Sequence, residues 1–193
     1  MTLTHHLILF AAKLSLGLAV TMSITSARKV TSGFFRVHLW VILGLLVLAA
    51  LAAYSLVAKS PEAMRVVWFA GAGAAAAYVG SVIWLYERAG AGRIFLIGVA
   101  LLSAAVGVLL QQTTGDRSPL MRALLNLDFL SSGLLLGAVT TAMLLGHWYL
   151  NTPTMELAPL RRLILFLVAV LILRALLAGA GLGLLMAERE LRL

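Results

Sequence analysis

Six long apolar runs divide the chain, and each is long enough to cross a bilayer as an α-helix, which needs about 20 residues. The predicted spans are residues 7–26, 34–58, 66–86, 94–110, 127–150 and 163–187. Apolar length carries this prediction, because a helix that faces lipid is apolar on all sides and shows no amphipathic period. Backbone polar groups in hydrocarbon must pair within their own segment, so the spans are expected to be helices. The predicted fold is an all-α membrane protein, a six-helix bundle forming a single domain over residues 1–193.

The connectors between the runs are short, so any chemistry must lie within the bundle or at its two faces. The longest connector contains Ser118-Pro119, a cap residue followed by the proline that suits a first helical turn. A helix running unbroken from Pro119 through the fifth span would reach about 48 Å, which exceeds a single crossing of about 30 Å. We therefore expect a short interfacial helix at about residues 119–126, followed by a bend near residues 131–133.

The composition supports a membrane location and excludes several function classes. Apolar residues make up 62% of the chain and charged residues 11%, with a mean hydropathy of +1.05, whereas soluble domains carry about a quarter charged residues. The net charge of +8 comes from single or paired basic residues beside apolar runs, as in headgroup anchors, so nucleic acid is not an expected partner. The absence of cysteine removes disulfides and thiolate sites. Lys13 inside the first apolar run favours a retained first helix over a cleaved signal peptide. The expected location is a cell membrane, inner or plasma.

Basic residues give little preference for one orientation. An even number of spans places both termini on one side. The connectors after the first, third and fifth spans carry Arg28, Lys29, Arg36, Arg88, Arg93, Arg161 and Arg162. The opposite side carries Lys59, Arg65, Arg117, Arg122, Arg189 and Arg192. Seven basic residues on one side against six on the other slightly favour an orientation with both termini outside the cytoplasm.

Small residues recur at one-turn spacing within the spans, which allows close approach of helix backbones in lipid. The pairs are Gly133 and Gly137 followed by Thr141, Gly179 and Gly183, Gly73 and Ala77, Ala76 and Gly80, and Ser103 and Gly107. We interpret them as contacts within one bundle, ahead of a dedicated dimerisation face.

Two basic residues lie inside predicted spans and more than one turn from the span ends. Arg174 stands near the middle of the sixth span, where a charge costs several kcal/mol. The acidic residues that could face it, Asp128, Glu87 and Glu188, all lie near predicted span ends. Its counter-charge is therefore expected from backbone carbonyls, water, a ligand or another protein, with a simple helix tie as the alternative. Lys13 is expected to extend its flexible stem to the headgroups, ahead of a proton-relay or substrate contact.

Two histidines are predicted at similar depth in one leaflet, His38 early in the second span and His147 late in the fifth. Two imidazoles from different helices with arginines at the edge are what a membrane b-type haem requires, and one imidazole beside an aromatic wall would suit a quinone headgroup. The predicted cofactor-binding residues are His38, His147, Arg36, Trp148, Arg161 and Arg162. The alternative is an interfacial belt, since Trp, Tyr and His are enriched at that level in any membrane protein. No metal centre is predicted.

The functional hypothesis is a multi-pass subunit of a redox or respiratory-type assembly that anchors or binds haem b or a quinone near one membrane face. The alternative is a transporter of a small anion or lipid that uses Arg174 as its substrate contact. A non-catalytic role is expected, because H-E-x-x-H, G-x-S-x-G and paired carboxylates within a span are all missing from the sequence. A bracing structural protein, and an enzyme using His147, Asn151 and Glu156, stay as further options. The expected partners are the bilayer and other membrane subunits or a second copy.

Overall fold

The computed structural model describes residues 3–58, 60–112, 119–152 and 156–190, without the side chains of Asn151 and residues 184–190. Over these residues the chain is helical and contains no strand. The helices are α1 (Leu3–Ile24), α2 (Ser32–Tyr54), α3 (Ala63–Leu85), α4 (Ala89–Gln112), α5 (Pro119–Asn151) and α6 (Ala158–Glu190). All six are long and apolar enough to span a membrane, which confirms the predicted six-helix membrane bundle.

Several helices begin earlier than their apolar runs. The fourth begins at Ala89, five residues before the predicted span, and the sixth begins at Ala158, also five residues before it. Ala-Gly repeats and arginine lower the hydropathy of these first turns without breaking the helix, and Pro159 is tolerated because a first-turn amide needs no helical partner.

The fifth helix differs from the prediction in its continuity. Residues 119–126 are helical as expected, but they run on through residues 131–133 as one 33-residue helix, with no separate interfacial segment. The hydroxyls of Ser131 and Ser132 donate to the Asp128 carbonyl four or fewer residues back, so the serines fit the helix they were expected to interrupt. One consequence is that Asp128 lies well inside the helix, nine residues after Pro119.

The first helix occupies the centre of the bundle and the last lies at its edge. α1 packs against α2, α4 and α5, and α3 packs between α2 and α4, whereas α6 packs mainly on α5. Within the most apolar windows, 56% of α1 is buried but only 11% of α6. A large part of α6 is therefore exposed outside this chain, to lipid or to another protein.

Small residues set the contact between α1 and α5. A side chain at Gly17 would overlap the backbone of Gly133 and Gly137, and the Thr21 and Thr141 hydroxyls share a hydrogen bond of 2.6 Å one turn further along. The predicted packing role of the α5 glycines is confirmed. The prediction for Gly179 and Gly183 was wrong, because no atom of the described residues lies within 4 Å of a side chain added at either position.

Candidate functional site

A cluster of three charged side chains from three helices lies inside the membrane region. The Asp128 carboxylate on α5 is 3.5 Å from the Lys13 ammonium on α1 and 3.1 Å from the Arg174 guanidinium on α6. Lys13 is near the middle of the 22-residue α1 and Arg174 is near the middle of the 33-residue α6. At a rise of 1.5 Å per residue, Lys13 is about 15 Å from either end of its helix, which is half a bilayer core. We call Lys13, Asp128 and Arg174 the intramembrane cluster.

The intramembrane cluster corrects two expectations from the sequence. Arg174 was expected to find no acidic residue of this chain at its depth, yet it pairs with Asp128. Lys13 was expected to reach headgroups, and instead has the same carboxylate as its partner. Both errors have one cause: the fifth span was taken to begin at residue 127, and because the helix begins at Pro119, Asp128 is carried two and a half turns inward.

Neighbouring groups hold the two cations in place. The Arg174 guanidinium also donates to the Asp128 backbone carbonyl and the Ser131 hydroxyl, both at 3.3 Å. The Lys13 ammonium lies 5.9 Å from the centre of the Phe129 ring, at the limit of a cation–π contact. A side chain at Gly133 would press on the Lys13 carbonyl at 2.9 Å, so this glycine allows α1 to bring its lysine close to α5.

The charge of the intramembrane cluster is neither balanced nor covered. Two cations meet one carboxylate, which leaves a formal excess of one positive charge. The exposed fractions of the side chains are 25% for Lys13, 53% for Asp128 and 34% for Arg174. Hydrocarbon does not solvate such groups, so charged side chains at this depth face protein partners or water-filled space. The intramembrane cluster therefore has an open polar side that something other than lipid tails must meet.

The structure separates the two histidines into different environments. His38 is 2% exposed, its Nδ1 is 2.7 Å from the Phe34 carbonyl oxygen, and its ring is 4.1 Å from the Phe34 ring. Its Nε2 is enclosed without a hydrogen-bond partner. His147 is exposed. In the part of the chain that the structure describes, no hydrogen bond or ring contact joins the two, so they are not seen facing each other.

Trp148, not His147, connects α5 to the region of His38. Its indole Nε1 donates to the Thr31 hydroxyl at 3.1 Å, and its ring meets the Phe34 ring edge-on with centroids 5.8 Å apart. Phe34 thus contacts both Trp148 and His38. This aromatic group joins the start of α2 to the end of α5.

The structure places the predicted arginines on two helices. Arg36 on α2 is half-buried with its Nε enclosed and unpartnered, while Arg161 and Arg162 are exposed in the first two turns of α6. The connectors on this face are instead joined by an ion pair between Lys29 and Glu156, at 2.5 Å. No group of three or more His, Cys, Asp or Glu side chains that could hold a metal ion occurs among the described residues.

The sequence analysis named Asp128 as a possible partner of Arg174 but placed it near a span end, and it assigned Ser131 to a bend, so neither was predicted as a site residue. The available signal was Pro119, which marks a helix start and so places Asp128 in the interior of a helix. Comparison with known proteins adds no further guide, since no protein-family model, curated protein or solved structure matches the chain.

Proposed function

We propose that this protein is a non-catalytic membrane subunit that assembles with another membrane protein, through the α5–α6 surface around the intramembrane cluster. The partner presents a carboxylate on a transmembrane helix. The observation that carries the proposal is the half-exposed Asp128, held between Lys13 and Arg174 with one positive charge in excess.

The excess positive charge of the intramembrane cluster favours a partner that carries a carboxylate. One carboxylate from outside would balance the excess positive charge and pair with Arg174, whose guanidinium has donors beyond those used on Asp128 and Ser131. Hydrogen-bonded ion pairs are stronger away from water, where competing hydration is lost. A second copy of this chain would bring the same positive excess to the contact, so a different protein is favoured.

The surface beside the intramembrane cluster suits helix packing. Gly179 and Gly181 on α6 have no atom near the position of an added Cβ, and small residues let a neighbouring backbone approach closely in lipid. Large apolar side chains of α6, such as Leu171 and Leu176, are exposed. A partner helix would therefore meet a polar contact at mid-membrane, open space beside the α6 glycines and exposed apolar side chains to pack against.

The test uses a designed transmembrane helix of leucine and alanine with one glutamate at its midpoint. Labelled full-length protein and this helix are reconstituted in lipid vesicles, and association is measured by energy transfer. We expect the glutamate helix to bind at least tenfold more tightly than matched glutamine and leucine helices. Arg174→Met should remove the preference for glutamate, while Arg174→Lys should retain most of it, because the charge stays.

The matched control is Arg162→Met, which makes the same substitution on the same helix at an exposed position outside the intramembrane cluster. It should bind the glutamate helix like the wild type. Equal binding of the glutamate and leucine helices would overturn the proposal, as would energy transfer between two copies of the chain that Arg174→Met abolishes. Circular dichroism checks that each variant is folded.

A specific observation also favours transport of a small anion, namely the same open side of a positively charged group at mid-membrane. Transport predicts uptake of chloride, nitrate or phosphate into vesicles that contain the protein alone, and loss of that uptake in Arg174→Met. Uptake together with no preference for the glutamate helix would replace the subunit proposal by this one.

The redox hypothesis keeps one observation, the enclosed Nε2 of His38. A ligating histidine commonly pairs its other nitrogen with a backbone carbonyl, as His38 Nδ1 does with Phe34. Protein purified from its native membrane would then show a haem absorption band or carry quinone, and His38→Ala would lose either one. A spectrum without a haem band, together with an extract free of quinone, ends this hypothesis.

A further inference from the structure

An open pocket lies on the face formed by the α1–α2, α3–α4 and α5–α6 connectors, away from the intramembrane cluster. Its volume is about 310 Å³, at the lower end of small-ligand pockets. It lies between the first connector and the start of α4. The lining residues are Ser26, Ala27, Arg28, Ala89, Gly90 and Arg93.

Two arginines from different parts of the chain give the pocket its chemistry. Arg28 follows α1 and Arg93 lies in the second turn of α4, and both are exposed. Neither forms an ion pair with a carboxylate in the described residues, in contrast to the neighbouring Lys29, which pairs with Glu156. Two guanidinium groups without acidic partners at one pocket favour an anion with several oxygens, because each can donate paired hydrogen bonds.

The rest of the pocket is compatible with such an anion. The first turn of α4 contains no acidic residue, so the positive end of its helix dipole is not neutralised by a side chain of that turn. The space beside Gly90 is open, which allows a ligand to approach the backbone. The whole face carries seven basic residues against Glu87 and Glu156, so its charge attracts anions from a distance.

We propose that this pocket binds a phosphate group between Arg28 and Arg93. The source is either the headgroup of an anionic phospholipid, which lies at this level of the bilayer, or a soluble phosphate compound. The proposal does not depend on the α5–α6 surface or on any partner protein, and it is tested with different variants.

The experiment compares phosphate sources on the full-length protein in a neutral detergent. Binding of a short-chain phosphatidylglycerol and of inorganic phosphate is measured by calorimetry, with a short-chain phosphatidylcholine as the uncharged lipid control. We expect phosphatidylglycerol to bind, and Arg28→Gln and Arg93→Gln each to weaken its binding about tenfold. Binding of inorganic phosphate with the same dependence on the two arginines assigns the site to phosphate in general, and binding of the lipid alone assigns it to a headgroup.

Arg88→Gln is the matched control. Arg88 is exposed immediately before α4, five residues from Arg93, and its loss removes the same charge from the same face, but it does not line the pocket. It should change binding less than twofold. An equal loss in Arg88→Gln and Arg93→Gln would show diffuse attraction to the face and would overturn the site, as would equal binding of phosphatidylglycerol and phosphatidylcholine. An unchanged unfolding midpoint shows that each variant retains the fold.

Discussion

Gly17 determines how closely α1 and α5 approach, because its missing side chain makes room for the backbone of Gly133 and Gly137. We predict that Gly17→Ala lowers the free energy of unfolding by about 1–3 kcal/mol, the usual cost of overpacking. Gly98→Ala is the control, since no atom lies within 4 Å of the added carbon, and it should be neutral or slightly stabilising. Unfolding in a graded detergent mixture measures both. Equal effects of the two variants would contradict the tight contact.

Asp128 is the shared anion of the intramembrane cluster, so its removal affects two cations at once. Asp128→Asn should lower the free energy of unfolding by about 2 kcal/mol, less than for a fully buried pair because the carboxylate is half exposed. Lys13→Met and Arg174→Met should each cost less, because each leaves one ion pair intact. The same unfolding assay ranks the three variants. If Asp128→Asn lowered the free energy of unfolding least of the three variants, the charge arrangement described above would be wrong.

Sequence reasoning identified the two intramembrane cations and named Asp128 as one possible partner of Arg174, but it placed that carboxylate at the wrong depth. A charge in an apolar run is visible without a structure, which is why Lys13 and Arg174 were singled out. Pairing depends on helix register and rotation, and a shift of the α5 start by eight residues moved Asp128 from a span end to the interior. The histidines show the same limit: equal predicted depth did not determine that one side chain is buried and the other exposed.

At the scale of helices, the end of α3 contains a backbone conformation that glycine would adopt more easily. Glu87 has a φ of 56°, and the Arg88 amide donates back to the Ile83 carbonyl at 3.3 Å, as in a Schellman helix end. Glu87→Gly should raise the stability by about 1 kcal/mol, because a left-handed conformation costs a residue with a side chain about that much. Thermal unfolding in detergent gives the result. A lower midpoint would show that the Glu87 side chain contributes more than its backbone costs.

The peripheral position of α6 predicts that the other helices fold without it. A chain ending at residue 152 should keep the helical content of α1 to α5 and a cooperative unfolding transition. The reason is that α6 packs mainly on α5 and few of its side chains are buried. Removing the central α1, residues 1–30, should abolish that transition. Circular dichroism and size-exclusion chromatography compare the two truncations. Loss of cooperativity on removing α6 would mean that this helix belongs to the folding core.

Helix ends were the least predictable feature at this scale. Hydropathy locates the part of a helix in hydrocarbon, but the helix continues wherever its backbone is not interrupted. The first turns of α4 and α6 contain glycine, arginine or proline and were therefore left outside the predicted spans. The small-residue pattern was informative in α5, whose glycines face α1, and uninformative at Gly179 and Gly183 of α6, beside which the space is open.

For the whole molecule, six crossings place alternate connectors on opposite faces of the membrane. The natural chain has no cysteine, so single cysteines introduced at Arg88, Arg161 and Arg65 give a direct test. Residues 88 and 161 should react with a membrane-impermeant reagent from the same side, and residue 65 only from the other side. Labelling of all three from one side would contradict the six-span topology.

The overall fold was predictable because the bilayer imposes it: six apolar runs of sufficient length have few other solutions. Function was far less predictable, because membrane subunits, transporters and membrane enzymes all present similar apolar surfaces to lipid. The informative positions are the few polar residues that lipid does not tolerate, and their meaning depends on which helices face one another.

The order in which the helices are made has a consequence for the intramembrane cluster. Lys13 and Asp128, on α1 and α5, make a pair without net charge, and Arg174 belongs to α6, which follows both helices in the chain. During synthesis the unmatched charge therefore arises only when α6 joins the other helices. A chain produced in excess would display this defect within the lipid, which gives a membrane protease a means to distinguish orphaned copies from assembled ones.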